Sequence, residues 1–539
     1  ARREYAEGNK QAAFAGVGAL LREARDALAP KLRAADPPYF PEAAFIYRDV
    51  YGVPHIYADT EASGAYAMAT VQCEDDAPQV FANLREAWGK APSVLGEEAW
   101  NSALLVERWR IREIAEEAWQ QSPARTRRII EGFCAGLNDY RAAHPEECAG
   151  YEEVTPIHVL ALAKYFLLMS SDTMVKAKVQ EAVKPQEASR RPVATGASNT
   201  WVIGPSRTAS GKPILFIDPH WPSDGFAGWI EGHLHVGRAQ AGGGMMPGLP
   251  FFFIGYTSGL AWGGSAGGAD SVDVWELEIN PADPNEYRFD GAWRRMDVRQ
   301  VEIPVKTDAG VEMRQVTLRE TVHGPVIHEE NGRVFAAAIC GWKDTLFAEQ
   351  FLEMMRSKTK EEFLAAVSLD QLAWINLTYA TREGHIGYIQ LGCCPRRPEG
   401  WKAMGVLDGT RSSTLWEGRL PVAELPQIHD PASGWIQNCN TAATESTEGI
   451  AFTPAGFPPG ALYGHYSFDG KPCWRGRGLR SSQVMSGMQN VTIGDAIAFA
   501  FDTQCPSASL WVPNLLAAYE ARKDTIDDPR LEIKSAIDT

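Results

Sequence analysis

The chain has 539 residues, 45% hydrophobic and 22% charged, with a formal net charge of -16. This length exceeds one ordinary domain and supports a large buried core. The acidic balance argues against a nucleic-acid partner, and no apolar run is long enough to span a bilayer.

The first forty residues alternate charge and alanine in a helical pattern that Pro37, Pro38 and Pro41 break. A strand-like run over 45–57 follows, interrupted by a turn at Gly52. Helical periodicity predicts helices over about 124–143 and 155–182, the second carrying Ile157, Leu160, Leu162, Phe166 and Leu167. Residues 184–197, KPQEASRRPVATGA, contain two prolines, two arginines and no periodicity, and read as an exposed, cuttable connector. Beyond Ser198 the pattern is strand-rich: 201–204, 213–217, 229–236, 251–256, 273–279, 298–305, 312–319, 374–380 and 386–391, with helices at 360–369 and 491–500. Strands grouped between helical blocks predict an α+β layered fold with an antiparallel sheet.

Nine cysteines, among them the vicinal Cys393-Cys394, show neither zinc-site spacing nor a dense disulfide pattern. Most fit as small core residues, with room for one or two disulfides in an oxidising compartment. The chain begins at Ala1 without a signal peptide, as a trimmed or truncated chain would.

Gly196-Ala197-Ser198-Asn199-Thr200-Trp201 carries the most chemistry. Taken alone it is a small-residue turn entering a buried strand. Were the Ala197-Ser198 bond cut, one residue would supply a hydroxyl nucleophile and an α-amine of reference pKa ~8 as its base. Small residues at 196 and 197 leave room for the tight backbone that such a self-cleavage needs.

Several ordered motifs extend this. Arg48-Asp49-Val50-Tyr51-Gly52-Val53-Pro54-His55-Ile56 comes first. Then come Ser198-Asn199-Thr200-Trp201, Ser206-Arg207-Thr208-Ala209-Ser210-Gly211-Lys212-Pro213 and Asp218-Pro219-His220. Pro247-Gly248-Leu249-Pro250, Ala261-Trp262-Gly263 and Asn438-Cys439-Asn440 complete the series. On these motifs, over about residues 45–505, the chain resembles the penicillin acylase family of N-terminal nucleophile hydrolases, which includes cephalosporin, aculeacin and acyl-homoserine lactone acylases.

The resemblance implies an αββα sandwich of antiparallel sheets between helical layers, and a precursor cut into an α/β heterodimer. Its parts would be an N-terminal helical extension (1–44), an α-chain-like region (45–183), a spacer (184–197) and a β-chain-like nucleophile region (198–539). The family's β chain normally runs beyond the equivalent of Thr539. The implied activity is hydrolysis of the amide of an N-acylated small molecule, of β-lactam, lactone or lipopeptide type, through an acyl-enzyme on Ser198. A periplasmic or secreted location is implied too, with no membrane partner and no catalytic cofactor.

By the same resemblance, the Ala266 N–H and the Asn440 amide form the oxyanion hole, with Asn438 as rival to Asn440. His220 would tune the Ser198 amine and hydroxyl. Arg477 would organise the site, with Arg475 and Arg480 as competitors. Trp221, Ile254, Phe252 or Phe253, and Phe166 would line an acyl pocket, although such phenylalanines also suit a strand core. Asp270, Val272 and Asp273 match a calcium site, but the α-chain glutamate position falls on Lys176, which would repel the ion or replace it. The competing readings are an unprocessed or inactive relative acting as a binding or structural protein, and a Ser198–His220 hydrolase lacking a G-x-S-x-G elbow. A metal-dependent amidase finds no H-E-x-x-H or comparable cluster in the sequence.

Overall fold

The computed structural model describes residues 44–183, 197–237, 239–372, 375–398, 401, 405–450, 452–453, 456–462, 476–506 and 508–522. The expected helical extension up to residue 43 and the spacer up to residue 196 lie outside them, and Ala44, expected to close that extension, instead opens a strand. Thirteen strands position the site: β1 (Ala44–Arg48), β2 (Pro54–Ala58), β3 (Ala197–Ile203), β4 (Ile214–His220), β5 (Ile230–Val236), β6 (Ala239–Met245), β7 (Phe252–Thr257), β8 (Leu260–Ala266), β9 (Val272–Leu277), β10 (Ile375–Thr381), β11 (Ile386–Leu391), β12 (Gln427–His429) and β13 (Trp435–Asn438).

Nine of them form one sheet in the order β1-β2-β5-β6-β7-β8-β10-β11-β12. Neighbours are antiparallel except β2 and β5, which run parallel with His55 opposite His233. A second sheet, β13-β3-β4, is antiparallel throughout, with Ser198 opposite Pro219 and Thr200 opposite Asn438. β9 belongs to a separate six-stranded sheet.

Strand alternation explains the layering, because successive side chains leave opposite faces. Val202 and Leu215 pack against Ala380, Ile386 and Tyr388 of the large sheet. A Cβ at Gly263 would overlap the Ile217 side chain, so glycine in β8 sets how closely the sheets approach. From the other face of the small sheet, Trp201 and Ile203 meet Met485, Val491 and Ala496, in and around the helices Gly476–Gly487 and Ile493–Ala500. The far face of the large sheet sends Leu234, Met245, Phe252, Leu377 and Ile389 into the main core. There they meet the helices Glu61–Ala87, Ala124–Ala143, Pro156–Val183 and Phe347–Arg356. The order helices, sheet, sheet, helices is the sandwich expected from the sequence.

The helix Pro156–Val183 buries Val159, Leu160, Leu162, Leu167 and Val175 on several sides, as an element apolar all round must. The helix Glu61–Ala87 was not expected. Thr60 caps it by accepting from the Ser63 N–H at 3.2 Å, and it kinks at Asp76, two residues before Pro78. Eight cysteines fall among the described residues, and the seven that are buried, Cys73, Cys134, Cys148, Cys340, Cys393, Cys394 and Cys439, serve core packing as free thiols; Cys505 is exposed, and Cys473 lies outside. Among the described residues no helix is long and apolar enough to cross a membrane.

Candidate active site

Ser198 occupies the central strand of the small sheet, 3% exposed, on the face turned towards the large sheet. Two side chains grip its backbone. Its N–H donates to Asn440 Oδ1 at 2.9 Å, and its carbonyl accepts from Arg477 Nη1 at 2.7 Å. Arg477 also donates to Asn199 Oδ1 at 2.6 Å and, through Nη2, to Asn440 Oδ1 at 2.8 Å. A planar guanidinium suits this, because its fixed fork satisfies several acceptors at once.

Asn440 stands just beyond β13 with φ of 64°, a left-handed conformation that asparagine tolerates better than most residues. Asn438 stabilises that turn by accepting from the backbone N–H groups of Asn440 (3.0 Å) and Thr441 (3.3 Å). The Asn440 amide donates to the Ala266 carbonyl at 2.8 Å, which ties the end of β8 to the serine. Beside it, a Cβ on Gly267 would overlap the Asn376 amide, so the chain after Ala266 has room only for glycine. The structure thus brings Ser198, Asn440, Arg477 and Ala266 together. The rivals are engaged elsewhere: Asn438 also bonds Ser265 and Ser446, and Arg480 pairs with Asp502 at 2.6 Å. Arg475 lies outside the described residues.

His220 does not make the expected contact with Ser198. It pairs in register with Ala197, so the pleat turns it to the face of Asn199 and Asp218, away from the serine side chain. Its Nε2 is shared between Asp218 Oδ2 at 3.0 Å and Asn199 Nδ2 at 3.1 Å. Since Asn199 also meets Arg477, His220 acts on the site only through this polar relay.

The aromatic residues divide. Phe166, Trp221 and Phe253 are partly exposed and touch: Phe166 lies 4.6 Å from Phe253 and 6.0 Å from Trp221 between ring centroids. Trp221 follows His220, at the end of the strand that pairs with Ala197 and Ser198. Phe252, by contrast, is 1% exposed and belongs to the main core; of the two alternatives, Phe253 has the partly open position. Ile254 is half-buried opposite Gly244. Phe351 and Trp229 join the cluster through Phe253. Neither was singled out from the sequence, and only an isolated apolar helix pattern around Phe351 could have signalled it.

The Asp270-Val272-Asp273 group does not fit a calcium ion. Such an ion needs several free oxygens, and here nitrogen donors take them. Lys178 Nζ donates to Asp270 Oδ2 at 2.9 Å and to the Val272 carbonyl at 2.6 Å. Arg397 binds Asp273 Oδ2 at 2.7 Å and Asp270 Oδ1 at 3.2 Å. Indole N–H groups of Trp401 and Trp416 reach Asp273 at 2.7 and 2.6 Å. Burial alone would raise the Asp273 pKa, but Arg397 and Lys178 outweigh it and hold the carboxyl below its ordinary value. The expected lysine was also misplaced by two residues. Lys176 faces out and pairs with Asp172 at 2.7 Å, since residues two apart on a helix leave opposite sides.

The family model for penicillin amidase matches residues 43–535. The chain belongs to that family. It is 23% identical over 537 residues to the acyl-homoserine lactone acylase PvdQ of Pseudomonas fluorescens (strain Pf0-1), covering 88% of this chain and 67% of the relative. It is 25% identical to penicillin acylase 2 proenzyme of Pseudomonas sp. (strain SE83), covering 78% and 61%. A third family member, penicillin G acylase of Escherichia coli, is 28% identical over 46% of this chain and 29% of its own. The chain therefore spans about two thirds or less of the length of these relatives. Among solved structures it is similar to a thermostable penicillin G acylase from Alcaligenes faecalis, with a TM-score of 0.42 and 26% identity over 50% of this chain and 47% of that one.

Proposed function

We propose that the chain is a self-processing amidohydrolase that cleaves its own Ala197-Ser198 bond and then uses Ser198 as an N-terminal nucleophile. The observation that carries this is the convergence of Asn440 and Arg477 on the backbone N and O of Ser198. After cleavage the same Asn440 oxygen holds the new amine in place. The Arg477 guanidinium beside it disfavours protonation of that amine, so it can take the hydroxyl proton at neutral pH. Ser198 Oγ then attacks the substrate amide carbonyl. The oxyanion is met by the second hydrogen of the Asn440 amide and by the Ala266 N–H, and the proton passes to the leaving amine. Water hydrolyses the acyl-serine by the same path in reverse.

The acyl group packs against Phe166, Trp221 and Phe253, an apolar aromatic wall. The names of the relatives support N-acyl lactone or β-lactam amides as substrate class, and the name proenzyme of one of them supports processing of a precursor; the working form proposed here is a periplasmic or secreted α/β heterodimer. Intact-mass analysis tests the proposal. Two fragments are expected, the second starting at Ser198; a single full-length species that still hydrolyses amides would overturn the N-terminal-amine mechanism.

A further inference from the structure

The motif Arg48–Ile56 plays no part in the chemistry above, yet its penultimate residue, His55, meets two other histidines. His55 in β2 is the register partner of His233 in the parallel strand β5, and His235 lies two residues further on the same face. One ring nitrogen from each of the three lies within 4.8 Å of the others. The Nδ1 atoms of His55 and His233 are only 3.1 Å apart.

The other ring nitrogens explain why that approach matters. His55 Nε2 faces Asp49 Oδ2 at 3.6 Å, and Asp49 is itself fixed by accepting from the backbone N–H groups of Tyr51 and Val53. His233 Nε2 meets the Tyr256 hydroxyl. Tyr256 reaches it only because residue 242, between them on β6, is glycine; a Cβ there would sit 2.7 Å from the Tyr256 oxygen. The 3.1 Å approach suits one proton shared between the two Nδ1 atoms or, where both Nε2 atoms carry their protons outwards, a cation held between two Nδ1 lone pairs. His235 is stacked on Tyr57 at 4.4 Å, and its Nε2 is buried without a hydrogen-bond partner.

We propose that His55, His233 and His235 form a three-imidazole site for one divalent transition-metal ion of the zinc class, with Asp49 and Tyr256 orienting two of the ligands. Tetrahedral zinc with Zn–N bonds of about 2.0–2.1 Å separates its ligand atoms by roughly 3.3 Å, close to the spacing already present between two of them. Neutral imidazoles favour zinc, copper or nickel over calcium or magnesium. Carboxylate and hydroxyl partners on the outer nitrogens are what ligating histidines ordinarily carry. The ion would bridge β2, before residue 184, to β5, after residue 196.

The test uses the full chain, untagged and stripped with chelator, titrated with Zn2+ by calorimetry and with Co2+ by visible absorption. One equivalent bound at micromolar affinity or better is expected, with a tetrahedral cobalt spectrum and a rise in unfolding temperature on adding Zn2+. His233→Gln and His235→Gln should each abolish that spectrum. Tyr256→Phe should weaken binding about tenfold while leaving the unfolding midpoint in chelator unchanged, which separates lost metal from lost fold. No saturable binding to the wild-type chain, or binding unchanged in both histidine variants, would overturn the proposal.

Discussion

Replacing Lys178 by methionine is the sharpest test of the buried ionic cluster. Lys178, Asp270, Asp273 and Arg397 have side chains at most 1% exposed, two anions against two cations. Lys178→Met leaves a net buried negative charge and takes the donor from Asp270 Oδ2 and from the Val272 carbonyl. Each orphaned acceptor costs roughly 1–3 kcal/mol, and breaking one partner of a buried pair about 3–5 kcal/mol. A loss of ~3–5 kcal/mol is therefore expected, a large share of the 5–15 kcal/mol, roughly, that holds a typical native state. The pH dependence has a definite sign. In the wild type, Asp273 has a folded pKa below its unfolded value, so its contribution is present above about pH 4 and lost only as pH falls through the depressed value. In the variant, a buried carboxylate without its ammonium partner relieves itself by binding a proton, so the deficit shrinks between pH 8 and 5. Urea unfolding followed by circular dichroism and tryptophan fluorescence across that range gives both quantities. A deficit under ~1 kcal/mol at pH 7.5, or a Lys178→Met/Asp270→Asn double variant no more stable than the single one, would refute the reasoning.

Two further outcomes follow from the geometry. Asn440→Gly keeps the left-handed backbone but removes the amide that links Ser198 to Ala266. Processing and turnover of phenylacetyl, glutaryl or long-chain acyl amides should fall about a hundredfold or more, and the Ser198 N–H and Ala266 carbonyl left without their partner should each cost roughly 1–3 kcal/mol of unfolding free energy. Asp370 is buried with neither carboxylate oxygen hydrogen-bonded, and burial outweighs Arg419 to raise its pKa to about 7. Because the folded value lies above the unfolded one, the native state binds the proton more tightly. Stability is full below pH 4 and falls as pH rises to about 7, by up to ~4 kcal/mol. Asp370→Asn, compatible with φ of 54°, should therefore stabilise the chain at pH 8 by ~1–3 kcal/mol and have little effect at pH 4. Equal gains at both pH values would contradict this.

The parts of the fold legible in the sequence were those with local periodicity. The strand expected at 386–391 has the observed bounds, and the helices expected near 124 and 156 agree to within a residue. Glu61–Ala87 escaped because Gly64, Asp76 and Pro78 interrupt its pattern, and tertiary packing overrides them. β6 escaped because AQAGGGM reads as a turn; its glycines instead let Trp229, His233 and Tyr256 lie across it. Ser198, Ala266 and Asn440 were legible as motifs, but their mutual hydrogen bonds were not. The orientation of His220 depends on a pairing register that no motif states. The choice between Phe252 and Phe253 depended on which face of β7 meets the core. The histidine cluster joins residues 178 positions apart, beyond the reach of any spacing rule.

The ladder between β2 and β5, and the reach of Lys178 to Asp270, give the 184–196 stretch a limited role. It joins two pieces that already share a sheet, a core and a buried charge cluster. As a tether it supplies an effective concentration in the millimolar range, equivalent to ~4 kcal/mol. Severing it changes the connectivity of the chain far more than its cohesion. Separately synthesised halves should therefore find each other as obligate subunits do, and neither should persist alone as a folded body.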